Sequence, residues 1–153
     1  MKTPATSGNR PHDDPALFRE AINLTAARTG FAPRLIEKDY FCTVLLEYLS
    51  EADASLVFKG GTCIAKVHAE FYRLSEDLDF SIPLAHDATR KERGRAAQEF
   101  KEALTAMPHR LPVFRLVQPC AGANNSTQYA AVVGYHSLAG GNGRRDQSRG
   151  RSA

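Results

Sequence analysis

Apolar residues recur every three to four positions in some stretches of the chain and every second position in others, and this change of period lays out the expected elements. Leu17, Phe18, Ala21, Ile22 and Thr25 follow helical spacing. They run from Asp14-Pro15, a cap and first-residue pair, to Gly30, a residue suited to closing a helix. Pro33 opens a second expected helix whose Ile36, Tyr40, Val44, Leu45, Tyr48 and Leu49 form an apolar stripe, with Glu37, Lys38 and Asp39 in its early turns. Residues 55–59 are short, apolar and halted by Gly60-Gly61, the pattern of a buried strand entering a tight turn. Ile64, Val67, His68 and Phe71 then predict a short helix, with Lys66 and Glu70 on its outer side.

From Asp77 the alternation is strict. Leu78, Phe80 and Ile82 share one strand face, and Asp77, Asp79 and Ser81 share the other. A third long helix is expected over about residues 87–106, rich in Ala, Glu, Lys, Arg and Gln and largely solvated. Residues 113–117 and 128–135 predict two strands of a long hairpin that extends the sheet. Residues 1–13 lack apolar periodicity and predict a flexible leader. Residues 140–153 hold no branched aliphatic or aromatic side chain and predict a disordered basic tail that supplies neither strand nor core helix. One domain, residues 14–139, lies between them.

Composition narrows the class without naming a partner. A 153-residue chain that is 42% hydrophobic and 24% charged has the make-up of one globular domain, which excludes disorder throughout. The formal charge of +3 falls entirely in the last 14 residues, which carry four arginines against one aspartate. The body is therefore neutral, and basicity is no argument for nucleic-acid binding. Cys42, Cys63 and Cys120 form no C-x-x-C and are odd in number, so three buried thiols in a reducing compartment are expected, not a disulfide scaffold or structural zinc. No apolar run reaches membrane-spanning length and no signal core opens the chain, which predicts a cytoplasmic protein without membrane association.

Two features carry chemistry. Gly60-Gly61-Thr62 sits between an expected strand and an expected helix, where backbone N–H groups can hold a phosphate; a plain structural turn fits the same residues. A P-loop is excluded, because Lys59 precedes the glycines where that motif needs Lys after its last Gly. Asp77 and Asp79 stand two apart on a strand, with Cα atoms roughly 6.5 to 7 Å apart, so their carboxylates can converge. Such a pair repels unless a cation compensates, and Mg²⁺ does so while bridging to substrate phosphates. The alternative is a solvated acidic face, or aspartates paired with Arg73 and Lys66.

Phe58-Lys59-Gly60-Gly61-Thr62 followed by Arg73-Leu74-Ser75-Glu76-Asp77-Leu78-Asp79-Phe80 resembles the nucleotidyl transferase AbiEii toxin family, part of the DNA polymerase beta-like nucleotidyltransferase superfamily. Ile36-Glu37-Lys38-Asp39-Tyr40 is similar to that family's upstream helix motif, and the resemblance spans roughly residues 16–139. It implies an α+β nucleotidyltransferase fold, a mixed sheet flanked by helices. It also implies Mg²⁺-dependent transfer of a nucleotidyl group from a nucleoside triphosphate to an RNA acceptor such as tRNA, in a toxin restrained by a cognate antitoxin. By the same resemblance Gly60, Gly61 and Thr62 cradle the triphosphate and Asp77 and Asp79 hold the metal as the catalytic carboxylates. Ser75 and Arg73 orient the aspartates or contact phosphate, Arg73 being equally suited to a structural ion pair. Lys66 reaches the triphosphate as a point charge or is an ordinary solvated lysine.

The superfamily usually has a third carboxylate on a later strand, and none is found in this sequence; Asp146 lies in a stretch without strand character. The expected continuation is replaced by residues 140–153, which predicts a C-terminally truncated nucleotidyltransferase. The competing reading is an inactive remnant that serves at most as an antitoxin- or nucleotide-binding module. Other constellations fail on spacing. His68-Ala69-Glu70 with Pro119-Cys120 lacks the second cysteine of a zinc deaminase at Ala123, and there is no H-E-x-x-H and no G-x-S-x-G.

Overall fold

A computed structural model describes residues 10–52, 55–63, 77–122, 129–138 and 146–152. Asp14 caps the first helix, its Oδ1 accepting from the N–H groups of Ala16 at 3.0 Å and Leu17 at 3.1 Å. Helix α1 runs Pro15–Thr29 and closes on Gly30 at φ 76°, whose N–H reaches the Ala26 carbonyl. Helix α2 spans Pro33–Ala52. Phe18 and Ile22 of α1 join Phe41, Cys42, Val44, Leu45, Tyr48 and Leu49 of α2 in the core, the faces that the periodicity predicts.

Residues 10–13 are ordered, which shortens the expected leader; residues 1–9 lie outside the described set. A 3-10 turn at Pro11–Asp13 sets His12 against α2, where its Nδ1 lies 2.8 Å from the Tyr40 hydroxyl and its ring meets Tyr40 and Phe41. Composition could not show this anchor, because it depends on a partner 28 residues away. Burial lowers the His12 pKa, with Asp13 opposing and Arg10 reinforcing the shift. The unfolded chain therefore binds this proton more readily. His12 contributes stability that is complete above its unfolded value near 6.5 and is lost as pH falls through the lower folded value. Urea unfolding midpoints are expected to drop between pH 7.5 and pH 5, and the drop should shrink in His12→Gln; an unchanged pH profile in that variant would remove the assignment.

Strand β1, Val57–Lys59, leads directly into the single helical turn α3, Gly60–Cys63. The helix expected around Ile64, Val67, His68 and Phe71 lies outside the described residues. Strand β2 is Leu78–Ser81, with Leu78 and Phe80 buried and Asp79 and Ser81 half-buried. Helix α4 runs Arg90–Arg110 from a reciprocal capping box between Thr89 and Glu92. It is less solvated than its charge suggests: Ala97, Phe100, Ala103, Leu104 and Met107 are buried, and Tyr48 donates to the Ala103 carbonyl at 2.8 Å. A narrow apolar stripe on a helix otherwise full of charge suffices to dock it.

Strands β3, Phe114–Gly122, and β4, Tyr129–Tyr135, pair antiparallel with two register shifts, the expected hairpin. The departure from expectation is β5, Asp146–Ser152, which lies inside the sheet, parallel to β2 and antiparallel to β4. The predicted disordered tail thus supplies a strand. Sheet pairing is made by main-chain N–H and C=O groups, which Ser, Gly and Arg carry as fully as Val does. The result is one five-stranded mixed sheet of order β1-β2-β5-β4-β3 in an α+β chain.

Glu37 ties the helices to the end of β4. It is 1% exposed, and its carboxylate accepts from the Leu138 N–H at 2.6 Å and the Ser137 hydroxyl at 2.8 Å. Of the three thiols expected to be buried, only Cys42 is; Cys63 and Cys120 are half-buried. Among the described residues no helix is long and apolar enough to cross a membrane.

Candidate functional site

The antiparallel register of β1 and β2 sets Lys59 opposite Asp79 and Phe58 opposite Phe80, whose rings lie 5.6 Å apart. The chain then turns at Gly60 with φ 79°. Leu78 and Phe80 occupy the core face, so the two-residue period turns Asp79 away from it, toward the turn. A Cβ on Gly60 would stand 2.5 Å from the Asp79 Oδ2 and 3.1 Å from its Cβ. The glycine turn and the acidic strand, about 19 residues apart in sequence, are one place in the fold, and glycine is what lets them close to contact.

Asp77 lies one residue ahead of β2 and is exposed. Gly61 and Thr62 continue α3, whose first-turn N–H groups have no acceptor within their own helix. Lys66, Arg73 and Ser75 lie outside the described residues, as does His68. Among the described residues no group of three or more His, Cys, Asp or Glu side chains could hold a metal. The donor set on hand is therefore the carboxylates of Asp77 and Asp79. Those hard oxygens fit Mg²⁺, which is commonly held by one or two carboxylates and completes its shell with water and substrate phosphates. Cys120 offers no competing nucleophile, because burial pushes its thiol pKa up, only partly offset by Lys101.

The sequence reading missed the neighbour of Asp79 on the other side of β2. In the parallel β2–β5 ladder Asp79 pairs with Arg151. The legible signal was the alternation Ser148-Arg149-Gly150-Arg151-Ser152, a two-residue period written in small and basic residues. Asp146 begins the strand at its far end, about 16 Å from Arg151 at strand rise, so it supplies no third carboxylate beside Asp79. A shallow cavity of about 290 Å³ between α2 and α4, lined by Tyr48, Glu51, Glu99, Glu102 and Arg110 among others, shares no residue with the turn.

Fold and site together define an α+β protein in which a strand-borne carboxylate is closed against a glycine turn. The family model of the nucleotidyl transferase AbiEii toxin, type IV toxin-antitoxin system, matches residues 44–137. The chain belongs to that family. The matched span holds most of α2, the glycine turn, β2, α4 and the β3–β4 hairpin; Ile36–Tyr40 precede it and β5 follows it. No curated protein matches the chain.

Proposed function

We propose that the chain is an α+β nucleotidyltransferase of the DNA polymerase beta-like fold. It transfers a nucleotidyl group from a nucleoside triphosphate to a hydroxyl of an RNA acceptor, tRNA being the leading candidate. The observation that carries this reading is the contact distance between Gly60 and the Asp79 carboxylate, which joins a phosphate-sized gap in the backbone to a metal-binding oxygen. Gly60, Gly61 and Thr62 present main-chain N–H groups to the triphosphate without side-chain obstruction. Asp77 and Asp79 hold Mg²⁺, which when bound neutralises phosphate charge and eases ionisation of the attacking hydroxyl. That hydroxyl attacks the α-phosphorus, the bond to the bridging oxygen breaks, and pyrophosphate leaves with the electron pair.

Lys66 adds a positive charge toward the triphosphate, and Arg73 and Ser75 orient the aspartates or contact phosphate. Asp79 is held in place by β-pairing on both sides of its strand, so its position does not depend on a flexible loop. Membership of a toxin-antitoxin family supports a cognate antitoxin as the protein partner, with the activity harmful when unrestrained.

Incubating the protein with radiolabelled nucleoside triphosphates, Mg²⁺ and total tRNA should label the RNA. Asp79→Asn should lower the yield by at least about 100-fold, the scale of losing a group that positions and stabilises charge in the reacting complex. Labelling that survives substitution of both Asp77 and Asp79 would sink the assignment.

A further inference from the structure

Strand β5 lies beside β2 in a register that sets opposite charges side by side. Leu78 pairs with Gly150, Asp79 with Arg151 and Phe80 with Ser152. The same parallel register, continued by one residue, sets Arg149 beside Asp77. On its other side β5 pairs Gly150 with Ala131 and Ser148 with Val133, both members of the core. Ser148, Gly150 and Ser152 therefore hold the core-side positions of β5, and Arg149 and Arg151 hold positions on the face that carries Asp79. An acidic pair two residues apart thus runs alongside a basic pair two residues apart, on strands about 4.8 Å from one another.

We propose that Arg149 and Arg151 are the built-in counter-charges of Asp77 and Asp79, competing with divalent metal for the two carboxylates. Oppositely charged neighbours across a strand pair attract, and a fixed positive charge repels a divalent ion twice as strongly as a monovalent one. The metal site is consequently weak, and it tightens in any state that draws the arginines away, such as their engagement by the phosphates of an incoming nucleotide. This inference rests on the metal-binding reading of Asp77 and Asp79.

Mn²⁺ binding to the full chain, followed by the electron paramagnetic resonance of the free ion at pH 7.5 and 0.15 M salt, tests it without recourse to catalysis. Arg149→Gln with Arg151→Gln should tighten Mn²⁺ binding about tenfold, the Coulomb effect of one positive charge on a divalent ion about 6 Å away in a water-like dielectric. The single Arg151→Gln, which perturbs the sheet least, should give about threefold. Arg144→Gln with Arg145→Gln removes as much charge outside the strand and should change binding less than twofold, since salt screens beyond about 8 Å. Circular dichroism checks that each variant keeps its sheet. Unchanged or weaker binding in both strand variants overturns the proposal, as does equal tightening in the control. If Asp79→Asn leaves Mn²⁺ binding of the parent chain intact, the metal reading itself fails. If Asp79→Asn abolishes binding while the strand variants match the parent, the metal reading stands and only the counter-charge is wrong.

Discussion

Gly60→Ala is expected to cut nucleotidyl transfer by about 100-fold or more while costing only a modest part of the stability. Two effects separate cleanly at this position. The backbone at φ 79° disfavours any residue with a Cβ, by about 1 to 2 kcal/mol. The second effect is local to the site: the new methyl would lie 2.5 Å from the Asp79 Oδ2, so the carboxylate or the turn must move by a substantial fraction of an ångström. A displacement of about 1 Å at reacting groups costs on the order of 100-fold in rate. Gly30→Ala supplies the comparison, since Gly30 has nearly the same φ, 76°, but nothing within 4 Å of its would-be Cβ. It should lose stability to the same degree and keep full activity. The labelled-tRNA reaction and urea titrations of both variants make the measurement; parallel losses of activity in the two would show that backbone strain, and not closeness to Asp79, governs the site.

Phe41→Ala should destabilise the fold by about 3 to 5 kcal/mol, lowering the melting midpoint by roughly 10 °C or more. Phe41 is 1% exposed and lies where four elements meet. Its ring stacks on Tyr135 of β4 at 4.4 Å between centroids and meets Phe114 of β3, Phe18 of α1 and its neighbour Tyr40 in α2. Truncation removes the aromatic contacts of all of them at once and leaves a cavity that two helices and a sheet cannot jointly collapse into. Differential scanning calorimetry decides the point. A cost below about 1 kcal/mol would mean that the helical pair and the hairpin are not packed through this residue.

The local parts of this fold were legible because their causes are local. Asp14-Pro15 and Gly30 bound α1 through capping geometry that a few residues determine, and the alternation from Leu78 to Ser81 placed Asp79 off the core before any coordinates were known. The proximity of Gly60 to Asp79 was legible only as two motifs; their closure to contact depends on the β1–β2 register, which no local pattern sets. Glu37 read as one polar residue among three in an amphipathic helix, because what buries it is the end of β4, about 100 residues on. Strand β5 was hidden for a different reason. Hydrophobicity marks strands that bury side chains, whereas β5 alternates small and basic residues and earns its place through main-chain pairing to β2 and β4.

The position of β5 also bears on how the protein comes off the ribosome. It is the last described element to be synthesised and the only one that joins β2 to β4. Until it emerges, β2 has a partner on one side only and β4 has an open edge, so the nascent chain presents two unpaired strand edges for which no neighbour yet exists. The hairpin of β3 and β4 can form early, but the acidic strand acquires its full complement of hydrogen bonds only at the final step of translation. Premature release of the chain would leave those edges free to find each other in other molecules, so aggregation of partial products should set in sharply at the loss of β5 and not gradually with length.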